Sequence, residues 1–168
     1  MKKLIALFAA VVLVAGLTST VNAQVTATAT GSATVITPIA IANAGNMNFG
    51  NIAVSATAGT VVLTPAGVRS ITGGVTLPAV TGTVSAAAFT VTGLGSSTYS
   101  ITLPTTYTIT SGANTMTVGT FTSTPSGTGT LSGGTQTVNV GATLSVAASQ
   151  AAGTYTNGTG FPVTVNYN

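Results

Sequence analysis

An all-β fold of antiparallel strands is what the sequence predicts, and three observations predict it. Thr, Ser, Val and Gly dominate the chain, which is the chemistry of strands and turns. Short runs alternating apolar and polar residues recur with glycine-rich breaks between them, the pattern of a sandwich or barrel. After residue 23 no segment sustains a helical period, although "SVAASQAAG" could hold a single turn. No fixed-length repeat supports a β-helix or propeller.

The chain opens with Lys2 and Lys3, an apolar run from Leu4 to Leu17, and the small-x-small signal Val21-Asn22-Ala23. That is the layout of a secretory signal peptide. The run is shorter than the ~20 residues a membrane helix needs, and no cysteine follows it for lipid attachment. The expected organisation is a signal over residues 1–23, an N-terminal extension over 24–34 and a single β-sandwich domain over 35–168, exported without membrane insertion.

The extension reads "QVTATATGSAT", with Val25, Ala27, Ala29, Gly31, Ala33 and then Val35 on one face and Thr or Ser on the other. "NMNFGNIAV" leads into the turn "SATAG", and "TVVLTPAG" follows. "AAFTVTG" puts Phe89 and Val91 on one face, and "STYSITLP" does so with Tyr99, Ile101 and Leu103. "YTITSGANTMTVGTF" predicts a hairpin around residues 111–114, with Tyr107 and Ile109 facing Met116 and Val118. "TVNVGATLSV" aligns Val138, Val140, Leu144 and Val146. In "GTYTNGTGFPVTVNYN" a hairpin turn is expected at Asn157-Gly158, followed by a last strand with Phe161, Val163, Val165 and Tyr167 on one face. Asn157-Gly158-Thr159 also matches a glycosylation acceptor, and is read as turn chemistry.

Composition excludes more than it includes. The chain has no Asp, Glu, His or Cys. General acid–base catalysis draws on His, carboxylates, Lys, Tyr or Cys, and the many Ser and Thr hydroxyls have no base to activate them. Zinc and calcium sites want Cys, His or carboxylate ligands. No enzyme, cofactor or metal site is expected. Without the signal only Arg69 remains as a charged side chain, so the pI of 9.7 is no sign of nucleic-acid binding. Arg69 itself is expected in a solvated loop.

These runs, in the order "TPIAI", "MNFGNI", "GTVVLTPAG", "TGGVTL", "AAFTVTG", "TYSITLP", "MTVGTFTSTPSGTGTL" and the C-terminal stretch from "VNVGATL", resemble a family of exported bacterial β-sandwich domains of unknown function. The likeness runs from about Pro38 to Asn168. That family is similar to subunits of Mat/Ecp-type fimbriae and, more distantly, to other chaperone–usher pilins. The resemblance implies an immunoglobulin-like sandwich lacking one strand, which a neighbour's N-terminal extension completes. It further implies self-association into a polymer, a periplasmic chaperone and an outer-membrane usher as partners, and a place on the bacterial surface. This chain departs in lacking acidic residues near "NFG" and "GTF" and in having no disulfide.

On that reading Val25, Ala27, Ala29, Gly31, Ala33 and Val35 form a donor row, with Gly31 suiting a shallow pocket. The other readings are that residues 25–41 are the frayed first strand of the chain's own sandwich, which is the expectation for 35–41, and that residues 25–33 are a disordered tail. Burying a Val or Ile contributes roughly 1.5–3 kcal/mol and a row of Ala and Gly less, while ordering each residue costs roughly 1–2 kcal/mol. A donor strand here depends on its backbone ladder and on the core it completes. Phe161, Val163, Val165 and Tyr167 are read as core, or as the border of the acceptor groove and the chaperone contact. The rival function is a secreted carbohydrate-binding adhesin or another surface-binding module. Ice binding through "TATAT"-like rows would need a regular threonine period that the chain lacks.

Overall fold

The computed structural model describes residues 24–168, and the expected signal at 1–23 lies outside the described residues. Residues 24–34 are one unit, without strand assignment and with every residue exposed. Residues 35–168 are the other, and they carry ten strands and, among the described residues, no helix. The strands are β1 (Ala40–Gly45), β2 (Gly59–Leu63), β3 (Arg69–Gly73), β4 (Ala87–Thr92), β5 (Thr98–Thr102), β6 (Thr106–Ser111), β7 (Asn114–Thr124), β8 (Thr128–Thr130), β9 (Thr135–Val146) and β10 (Thr164–Tyr167).

Seven strands form one antiparallel sheet, running β1-β4-β9-β2-β3 with β7 also on β9 and β6 on β7. The other three form a sheet in the order β10-β5-β8. The sandwich expected from the alternating runs is therefore present.

β9 organises the larger sheet. Its inward residues Val138, Val140, Ala142, Leu144 and Val146 are all buried, a five-fold alternation that pins its face. β4 pairs with its first half, from Ala87 opposite Val140 to Thr92 opposite Thr135. β2 pairs with its second half, from Gly59 opposite Val146 to Leu63 opposite Ala142. These two partners share one edge of β9, and β7 takes the other. Between them sits Gly141, where a Cβ would collide with the Leu63 carbonyl and the Thr64–Pro65 backbone.

The β6–β7 hairpin matches its sequence pattern, with Ser111 opposite Asn114, Ile109 opposite Met116 and Tyr107 opposite Val118. Two expectations fail locally. "NMNFGNIAV" is no regular strand and makes only isolated bridges at Asn48 and Ala53. Asn157-Gly158 does not close a two-residue hairpin. Thr156 bridges to Thr110, the turn runs on to Gly160 at φ 72°, and the chain then reaches β10 in the smaller sheet. A change of sheet needs more chain than a tight hairpin supplies.

The core has two parts. In one, Phe89, Val91, Val138 and Val140 of the larger sheet meet Tyr99 and Val165 of the smaller, together with Leu131. Tyr99 is wholly buried, and its Oη donates to Gln136 Oε1 at 2.6 Å. That same oxygen accepts the Thr130 N–H at 2.9 Å. In the other part, Val61, Leu63, Met116, Val118, Ala142, Leu144 and Val146 of the larger sheet are roofed by no regular strand, but by Phe49 and Val75.

Burial raises the Tyr99 hydroxyl above its ordinary 10.0. Tyr107 is raised too, through burial and against a hydrogen bond from the Gly160 backbone. No side-chain carboxylate or imidazole is present, so stability should be level between about pH 4 and 9. Above 10.0 the unfolded chain sheds these phenolic protons before the folded one does, so their contribution is complete below 10.0 and is lost as pH rises through the raised values. Urea midpoints across pH check this, and a steep slope between 5 and 8 would contradict it.

Candidate functional cleft

Over the second core part, where the smaller sheet does not reach, the surface opens into a cleft of about 1010 Å³. Its floor is the inner face of β6, β7 and β9, through Ile109, Met116, Val118 and Leu144. Met116 keeps 7% of its surface exposed and Val118 and Leu144 2% each, so the trough is narrow over an almost sealed floor. Residues 43–54 form one wall and 150–161 the other. The walls thus come from the first and last parts of the domain.

Each wall is bonded to neighbouring loops, to β6 or within itself. Asn48 bridges to Ser85 and Ala53 to Thr76, and the Asn51 N–H donates to the Thr81 carbonyl at 2.7 Å. Asn51 Nδ2 donates to the Val80 carbonyl at 3.1 Å. Across the trough, Thr156 bridges to Thr110, Asn157 Nδ2 donates to the Thr108 carbonyl at 2.8 Å, and Tyr107 Oη donates to the Asn157 carbonyl at 2.8 Å. Gln150 Nε2 donates to Tyr155 Oη at 2.8 Å, which in turn donates to the Ala151 carbonyl at 2.8 Å. Among the described residues no backbone hydrogen bond joins 43–54 to 150–161. The Ser149 N–H bonded to the Ser55 carbonyl, at 2.8 Å, closes one end.

Arg69 is not in a solvated loop. It begins β3, is half-buried, and its Nη1 donates to the carbonyls of Phe49 at 2.6 Å and Asn51 at 3.0 Å. The one charged side chain among residues 24–168 therefore holds a wall of the cleft. A cation capped by two backbone carbonyls fixes the loop at Gly50, whose φ of 68° favours glycine.

The residues expected at a groove are only partly here. Phe161 lines the cleft and stacks edge-on against Tyr107, with centroids 5.7 Å apart, and against Phe89 at 6.1 Å. Val163 and Val165 pack in the other core part. Tyr167 Oη accepts the Leu94 N–H at 2.6 Å and donates to the Thr37 carbonyl at 2.9 Å. The cleft thus lies upstream of the last strand, and β10 is mainly core because its side chains turn into the two-sheet part. Val25, Ala27, Ala29, Gly31 and Ala33 are all exposed, Gly31 has no atom within 4 Å of an added Cβ, and Val35 is 97% exposed.

Chemically, the cleft offers amides, carbonyls and hydroxyls above an apolar floor. It can bind and exclude water.

An antiparallel β-sandwich is the class these features define. Within it, the chain belongs to the family described as Domain of unknown function (DUF4402), whose profile matches residues 39–167. Searches of curated proteins and of solved structures returned no match.

Proposed function

We propose that this protein is a non-catalytic, fimbria-like structural subunit of a bacterial surface that polymerises by strand donation. Residues 24–34 of one copy lie in the cleft of the next. The observation that carries this reading is the apolar-floored trough whose two walls share no backbone hydrogen bond.

Extended, residues 24–34 span about 36 Å. Their odd-numbered row of small apolar residues suits a narrow trough, and the Thr and Ser row would face water. Most of the affinity comes from main-chain bonds to the walls, with side-chain pockets setting the register. The partners implied are a second copy, a periplasmic chaperone that covers the cleft before assembly, and an outer-membrane usher.

A synthetic peptide of residues 24–35, added to a chain of residues 35–168, tests the reading. The peptide should raise the melting temperature in a concentration-dependent way and slow amide exchange in 46–54 and 150–157. An unchanged melting temperature at millimolar peptide would refute it.

A further inference from the structure

The outer edge of β3 is open. β3 ends the larger sheet with β2 as its neighbour, and all its residues after Arg69 are exposed. The Thr64 N–H bonds the Val68 carbonyl at 2.9 Å and the Gly74 N–H bonds the Ala58 carbonyl at 3.0 Å. Those two bonds fix the parity of the ladder, so the even-numbered residues of β3 turn their N–H and C=O groups toward β2. The backbone groups of Arg69, Ile71 and Gly73 then point outward. Natural edges are blunted by lysine, proline, inward charges or a covering loop. β3 has no lysine or proline, and its one inward charge, Arg69, stands at the first position of the strand with its guanidinium already bonded to the Phe49 and Asn51 carbonyls of its own chain, so the backbone groups at Ile71 and Gly73 stay uncovered.

We propose that β3 pairs antiparallel with β3 of a second copy, across a two-fold axis at Ile71. This symmetric register engages all three outward residues, with Ile71 opposite Ile71 of the second copy and Arg69 opposite Gly73. The two guanidinium groups fall at opposite ends of the ladder. The two Arg69 backbone positions stand about 13 Å apart along the strands, beyond the ~8 Å screening length of physiological salt. Ile71, 37% exposed in the single chain, covers its own counterpart, and Val68, 63% exposed, flanks the join. A two-fold contact of this kind uses one surface twice.

A five-residue edge buries less than the ~1,200 Å² of a stable interface. One such contact is weak, and it gains strength when many copies are held in a row. That last step rests on the strand-donation reading. The pairing itself does not, because it leaves the cleft untouched.

The chain has no cysteine, so Ile71→Cys in the full chain reports the register directly. Facing residues of a hydrogen-bonded pair lie about 5.5 Å apart at Cα, inside the 4.4–6.8 Å range that a disulfide spans. Under mild oxidation Ile71→Cys should give a covalent dimer on a non-reducing gel. Thr72→Cys, which faces Ser70 of the second copy, should give at least ten-fold less. Absence of the Ile71→Cys dimer, or equal dimer from both variants, overturns the proposal. The Ile71→Cys dimer should persist when residues 24–34 are removed, so failure of donation and failure of edge pairing are separate results. Ile71→Lys places like charges opposite one another and should lower the dimer fraction in sedimentation several-fold, with an unaltered urea midpoint showing that the fold is kept. An unchanged dimer fraction would overturn the proposal equally.

Discussion

Removing residues 24–34 should abolish SDS-resistant polymers and leave a folded monomer. The segment contributes no strand and no buried residue, and the first residues packed against the core are Ile39 and Ile41, beyond its end. Losing it should therefore change the stability of residues 35–168 by less than about 0.5 kcal/mol, as for surface changes remote from the core. Assembly depends on it wholly, since it is the segment proposed to join one copy to the next. Gel ladders of boiled and unboiled samples, with an unfolding curve of the truncated chain, make the measurement. Ladders that persist after truncation would eliminate strand donation by this segment.

Gly141→Val should be the most damaging single substitution in the domain. Gly141 is buried on the central strand β9, at the seam where β4 stops and β2 begins. The atoms that a Cβ would meet are backbone, the Leu63 carbonyl and the Thr64–Pro65 peptide, and cannot rotate aside. Relief requires β2 to move off β9, which disturbs the pairing of Leu63 with Ala142. Overpacking of this kind costs about 3 kcal/mol or more, which lowers the melting temperature by on the order of 10 °C in a domain of this size. A change of under ~1 kcal/mol would show that the β2–β9 seam is looser than the packing indicates. Gly67 at φ 78°, with open space around it, is the contrasting site, where alanine acts only through backbone strain.

The local pattern carried the parts of the fold that depend on neighbours in sequence. The β6–β7 hairpin was legible because Ser111 to Asn114 closes two alternating runs whose partners are set by the turn alone. β9 was legible because its inward row is uninterrupted through Val138, Val140, Leu144 and Val146. The cleft was hidden for the opposite reason. Its walls are about a hundred residues apart in the chain, and each is a mainly irregular segment with no backbone hydrogen bond to the other. "NMNFGNIAV" alternates like a strand, yet Arg69, 20 residues from Phe49 and 18 from Asn51, holds it by side-chain bonds in place of a full ladder. No local signal announces such a clamp. The last strand supports its reading as core, and its alternation could not show that Phe161, Val163, Val165 and Tyr167 serve different surroundings, Phe161 at the cleft and Val165 in the two-sheet core.

A cysteine scan tests the occupancy of the cleft. Thr154 is an exposed residue of one wall, and its neighbour Tyr155 is turned inward and half-buried. An acceptor lacking residues 24–34 and carrying Thr154→Cys is mixed with full-length donors bearing single cysteines from position 25 to 34. If the donor segment is a strand seated beside this wall with its odd row on the apolar floor, disulfides form at even positions near one register and are absent at odd ones. Cross-linking without that two-residue period, or none at any position, would mean that the cleft is not where the neighbouring chain binds.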